Sequence, residues 1–157
     1  MDTKLEELVK LEETLNQNYK GWYYAGGYAA HLWAKRYHAV ELPYNDYDII
    51  LPGKYDSNHV LTLKQSIMSD ATIDTIVMIG EHPVSFPATT VREGITAEIF
   101  PDGSCVIPLK DLILQYEINK GVLEMQLNPE PTIQTKVAKI NDRLKILKSI
   151  TPDKGEK

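Results

Sequence analysis

The sequence predicts an α/β domain, and three observations carry the prediction. An apolar stripe at helical spacing opens the chain, short aromatic or apolar runs alternate with further helical stretches after it, and Gly, Pro and Asp-Gly signals separate the two kinds. With 157 residues, 43% hydrophobic and 25% charged, the chain has material for one core and no room for a second.

Taken in order, residues Thr3 to Tyr19 place Leu5, Leu8, Val9, Leu11 and Leu15 on one side and Glu and Lys on the other, the pattern of an amphipathic helix that Gly21 ends. Trp22 to Ala25 suits a strand. Gly26-Gly27 breaks it, and Tyr28 to Tyr37 resumes a helical pattern, so the unit reads strand, tight turn, helix. Pro43-Tyr44-Asn45 marks a turn, Asp46 to Leu51 a strand entering the core, and Pro52-Gly53 its close. Asp56 or Ser57 is placed to cap a helix from Asn58 to about Ser69, and Thr72 to Gly80 carries the Ile-Val-Met-Ile run of a buried strand. The stretch from Glu81 to Gly94, with Pro83 and Pro87, reads as a loop or a short irregular hairpin. Ile95 to Phe100 and Ser104 to Ile107 form a hairpin around Asp102-Gly103, where the turn needs positive φ. Pro108 opens a helix to about Lys120, Gly121 to Pro131 links, and Ile133, Val137, Ile140, Leu144 and Leu147 stripe the last helix. The expected domain covers residues 1–150, with a disordered tail at 151–157.

Several classes are disfavoured by composition. No apolar run approaches the roughly 20 residues of a membrane-spanning helix, and Met1 to Asn18 lacks the basic start of a signal peptide, so a cytoplasmic location is expected. The single Cys105 excludes an internal disulfide and a cysteine-rich zinc site, and reads as a small buried strand residue. A formal charge of −5 argues against a surface made for wrapping nucleic acid.

The chemistry lies in two short motifs. Asp46 and Asp48, two apart on a strand, project from the same face and can share oxygen-loving cations such as Mg²⁺. Gly26-Gly27, at a strand-to-helix turn, lets the backbone approach a phosphate at a helix N-terminus. One motif offers donors for a triphosphate and the other carboxylates for the cations that bridge its oxygens. Each also has a plain reading: Asp-x-Asp occurs at exposed strand starts, and Gly-Gly alone is a turn.

Tyr24-Ala25-Gly26-Gly27-Tyr28-Ala29-Ala30-His31-Leu32, followed by Asn45-Asp46-Tyr47-Asp48-Ile49-Ile50, resembles the signature of the nucleotidyltransferase superfamily. The resemblance is greatest to the small antibiotic nucleotidyltransferases of the lincosamide type and the nucleotidyltransferase toxins of abortive-infection systems, and covers roughly residues 20 to 147. It implies an α/β (α+β), nucleotidyltransferase-like fold, a mixed β-sheet flanked by helices. It also implies a third carboxylate, for which Glu98 in Thr96-Ala97-Glu98-Ile99-Phe100 is the match, and a strand-then-helix segment that Val106 to Ile113 resembles. The sequence departs from the pattern in its eighteen residues between Gly27 and Asp46, in Glu at the third acidic position, and in Gln115-Tyr116 where toxin relatives tend to carry a lysine.

By this resemblance, Asp46 and Asp48 bind Mg²⁺ holding a nucleoside triphosphate, and Glu98 is a further ligand or the base for an acceptor hydroxyl. Lys35 and Arg36 are candidates for neutralising the departing pyrophosphate. The acceptor is a small molecule, a nucleic acid or a protein, and a second copy of the chain or a partner is a candidate for completing so small a site. A competing expectation is a degenerate domain that keeps the fold as a binding or toxin–antitoxin-like interaction module, and a third is a generic α/β domain with no pocket beside Gly26. His31, His38, His59 and His82 show no metal-ligand spacing, with His31 read as packed in its helix. Trp33 and the tyrosines near Gly26 read as packing, and Lys136, Lys139, Arg143, Lys145 and Lys148 as a solvated helix face.

Overall fold

The computed structural model describes residues 5–38, 40–51, 56–87, 95–125 and 131–150, and the expected breaks at Pro52-Gly53 and the tail after Thr151 lie outside them. Helix α1, Glu6–Asn18, turns Leu8, Leu11 and Leu15 inward at helical spacing. Glu12 joins that buried stripe because Tyr24 Oη donates to its carboxylate at 2.5 Å. Gly21, at φ 92°, reverses the chain, and the Trp22 indole N–H donates to Asn16 Oδ1 at 2.8 Å across the reversal. Strand β1, Tyr23–Ala25, is wholly buried and runs into helix α2, Gly26–His38.

Strand β2, Tyr47–Ile50, is followed by helix α3, Ser57–Ile67, whose cap is Asp56. The Asp56 carboxylate accepts from Asn58 N and His59 N, and His59 Nδ1 accepts from Asp56 N, closing a capping box. A strand over Thr72 to Gly80 is not formed. Thr72 to Thr75 is a turn held by Lys64 Nζ, which donates to Ile73 O at 2.7 Å and Thr75 O at 2.8 Å. Only Met78–Ile79 extends as β3, and Ile76 is 73% exposed, so the apolar run reflects no buried strand. Its partner is β4, His82–Ser85, inside the stretch read as a loop or irregular hairpin.

Strands β5, Glu98–Ile99, and β6, Cys105–Val106, form the expected hairpin. Gly103 takes φ 89°, and Asp102 Oδ1 accepts from Ser104 N at 3.0 Å in the turn. Cys105 is half-buried, short of the buried setting expected, because its hairpin forms an edge of the sheet. Helix α4, Leu109–Glu124, passes through Gly121 instead of ending at Lys120, since a glycine free of any need for positive φ weakens a helix without stopping it. Helix α5, Pro131–Ser149, starts on a proline, whose missing N–H costs nothing at that position.

The sheet is mixed, in the order β3-β4-β2-β1-β6-β5. The β1/β2 pair is antiparallel, β1/β6 and β2/β4 are parallel, and both edges are antiparallel hairpins. Register divides the side chains between two faces. Tyr24, Ile49 and Val106 share the face against which α1 brings Glu12, while Ala25, Asp48 and Ser85 align on the other. Tyr28 of α2 meets Tyr24 and Tyr47 edge-on at 4.8 and 4.7 Å between ring centres. Trp33 is 1% exposed, donates its indole N–H to Ile107 O at 2.9 Å and packs edge-on against Phe100, locking α2 to the sheet. The result is an α/β fold with a mixed sheet flanked by helices.

Candidate active site

Gly26 is where β1 becomes α2 with no intervening loop. Its φ is +65°, and a Cβ added there would stand 2.5 Å from Asp48 Oδ2, so conformation and space both require glycine. The proximity follows from register, since Ala25 pairs with Asp48 and the next residue begins the helix beside that carboxylate. At Gly27 an added Cβ would lie 3.3 Å from Tyr44 Cβ and 3.7 Å from Arg143 Nη2. The two glycines are therefore points of close approach as well as a turn.

Asp46 immediately precedes β2 and Asp48 lies within it, both half-buried. Burial pushes the Asp48 carboxyl up to about 6, and the charge of Asp46 adds to the effect. A paired, partly desolvated acid of this kind is stabilised by a cation. Two carboxylates with remaining positions for water and phosphate oxygens also match what Mg²⁺ asks of a protein, so the donor set fits. His82 Nδ1–H donates to Asn45 O at 3.0 Å and holds the strand entry in place.

Three further residues expected at this site are placed elsewhere. Glu98 stands on β5, three strands from β2, roughly 14 Å at ordinary strand spacing. Its register runs through Val106 to Tyr24 and Ile49, which puts it on the face opposite Asp48. There it pairs with Arg36 Nη1 at 3.7 Å. Arg36 lies over Phe100, its Cζ 4.6 Å from the ring centre. Lys35, nine residues beyond Gly26 and so about 13 Å along α2, lines a cavity of about 1160 Å³ with Glu12, Tyr28, Tyr44 and His82. Among the described residues no group of three or more His, Cys, Asp and Glu converges as a metal cluster. The carboxylate at Gly26 is that of Asp48, with Asp46 close enough for its charge to act on it, and Glu98 does not join them.

In place of those cations, α5 brings Arg143. Its Nη2 donates to Pro43 O at 2.9 Å, which draws the guanidinium over the chain just before Asp46 and beside Gly27. Tyr116 of α4 lies under it, ring centre 6.0 Å from Arg143 Cζ. The Tyr116 hydroxyl is shut off from solvent and makes no hydrogen bond of good geometry among the described residues. Burial raises its pKa, as does the Asp48 charge, while Arg143 pulls it down, so the hydroxyl stands within reach of both charges. Reading α5 as one solvated basic face missed Arg143. The available signal was its position three residues after Ile140 and one before Leu144, on the flank of the buried stripe, where the four lysines of that face are exposed.

The histidines hold structural roles. His31 Nδ1–H donates to Leu42 O at 3.0 Å and its ring stacks on Tyr28. Tyr28, Tyr44 and Tyr47 interlock behind the site, with ring centres 4.7 to 5.6 Å apart. Among the described residues no helix is long and apolar enough to cross a membrane. No protein-family model matches the chain, and neither a curated protein nor a solved structure shows a significant match to it.

Proposed function

We propose that this chain is a nucleotidyltransferase-type domain that binds a nucleoside triphosphate with Mg²⁺ and transfers the nucleoside monophosphate to a hydroxyl of an acceptor. The observation that carries the reading is the Asp48 carboxylate lodged against Gly26 at the start of α2, with Asp46 beside it. Such a carboxylate pair costs stability unless a cation compensates it, and a helix N-terminus opening next to it favours an anion. A metal–triphosphate complex satisfies both. Asp46 and Asp48 would hold the metal, which supplies charge neutralisation for the phosphate oxygens.

The acceptor oxygen forms its bond to the α-phosphorus while the bond from that phosphorus to the bridging oxygen breaks, and pyrophosphate leaves with the electron pair. The acceptor's proton passes to solvent. The chain's part is to orient the triphosphate, with the buried rings of Tyr24, Tyr28 and Tyr47 packed edge-on as a rigid backing behind the glycines. A second reading, binding without turnover, is favoured by the position of Glu98, which leaves the Asp46–Asp48 pair without the third acid expected of it.

Calorimetric titration of the four nucleoside triphosphates, with and without Mg²⁺, tests the site on the native chain and on a double Asp46→Asn, Asp48→Asn variant. Metal-dependent binding lost in the variant is expected, and absence of binding to all four ends the proposal. Pyrophosphate release in the presence of candidate hydroxyl acceptors then separates transfer from binding alone.

A further inference from the structure

We propose that Arg143 and Tyr116 form the oxyanion seat of this site, binding the phosphoryl oxygens of an incoming polyphosphate at the N-terminus of α2. The inference rests on the nucleotide reading above and assigns the cation that reading lacks. Three observations converge on the seat. Arg143 crosses from the far end of the chain to stand 3.7 Å from the Cβ position of Gly27, steered by its bond to Pro43 O. Tyr116 is 7% exposed, and its hydroxyl is shut off from solvent with only a poorly aligned approach from Arg143 among the described residues, so its O–H is left to donate to a ligand oxygen. Arg143 stands beside the first turn of α2, where the Asp48 carboxylate abuts Gly26, and Tyr116 lies under the guanidinium.

The ligand class follows from the chemistry. A guanidinium carries five N–H donors in a planar fork, so one bond to Pro43 does not exhaust it, and the fork matches phosphate oxygens in pairs. A simple monoanion would leave the neighbouring Asp46 and Asp48 uncompensated, whereas a polyphosphate arriving with a divalent cation answers the acids and the donors together. Arg36 is engaged with Glu98 and Phe100, and Lys35 lines the cavity shared with Glu12 and Tyr28. Among the described residues, Arg143 is the cation positioned at the glycines.

The test uses the full chain, inorganic tripolyphosphate and the four nucleoside triphosphates as probes, with and without Mg²⁺, in calorimetry and thermal melting. Tyr116→Phe removes only the buried hydroxyl. It is expected to melt at or above the native temperature without ligand, yet to bind the Mg²⁺–polyphosphate about tenfold more weakly, the scale of one hydrogen bond to a charged group. R143K, which keeps the charge and loses the fork, is expected to weaken binding at least as much, while R36Q binds as the native chain does. Native-like binding by both Tyr116→Phe and R143K overturns the seat and leaves the nucleotide reading standing if triphosphate binding still requires Asp46 and Asp48. Tripolyphosphate bound through Arg143 and Tyr116, with no preference for any nucleotide, upholds the seat and overturns the nucleotide reading. Absence of binding to every probe overturns both.

Discussion

Asp48 couples the candidate site to stability through its proton. Its folded-state pKa, about 6, lies above the ordinary 3.8 because burial and then Asp46 disfavour the charged form. Folding therefore favours proton uptake, so the stability that the neutral carboxyl provides is present at low pH and lost as pH rises through about 6. Without metal, Asp48→Asn is expected to melt above the native chain at pH 8, with the gap closing near pH 4.5. Thermal melting across that range checks it, and a constant gap would mean that the carboxyl is not the titrating group. Mg²⁺ at pH 8 is expected to raise the melting temperature of the native chain and leave the variant unmoved. Gly26→Ala meets two obstacles, φ of +65° and a Cβ 2.5 Å from Asp48 Oδ2. A cost of about 2 kcal/mol or more is expected in urea unfolding. Part of it should disappear when Asp48 is also cut to Ala, and a strictly additive double-mutant cycle would count against the contact.

The elements around the site draw stability from local devices that can be tuned apart from it. The capping box of α3 satisfies two backbone donors through Asp56. Asp56→Ala should lower stability by about 1 kcal/mol without changing triphosphate binding, since α3 supplies no residue near Gly26. Gly121 sits inside α4 with nothing within 4 Å of an added Cβ. Gly121→Ala should accordingly stabilise the chain by roughly 0.5–1 kcal/mol, measured by urea unfolding. A loss instead would show that α4 bends or opens there. These two substitutions also separate effects on folding from effects on binding, which matters for Tyr116 and Arg143 on the neighbouring helices.

At the scale of the whole molecule, the order of helices and strands was largely legible because each element advertises itself within a few residues. Leu8, Leu11 and Leu15 mark α1, Asp56 caps α3, and Asp102-Gly103 turns the β5–β6 hairpin. Where such signals conflict, the reading failed. Pro83 argued against the strand that pairs with β2, and the Ile-Val-Met-Ile run argued for a buried strand that the Thr72–Thr75 turn and its Lys64 anchor forestall. Within the site, the closeness of Gly26 and Asp48 was legible as two motifs that complement each other. The place of Glu98 was not, because a strand's alternation gives two faces and leaves their orientation to the register with its neighbour. Arg143 lies 116 positions from Gly27, and a helical stripe shows which flank turns inward without showing what it meets. Sequence alone thus determined the alternating elements, the glycine turn and the Asp46–Asp48 pair, all of them consequences of short-range geometry. Tertiary structure decided which acids and cations share a face, since strand order, register and the docking of α4 and α5 are set by contacts between residues far apart in the chain.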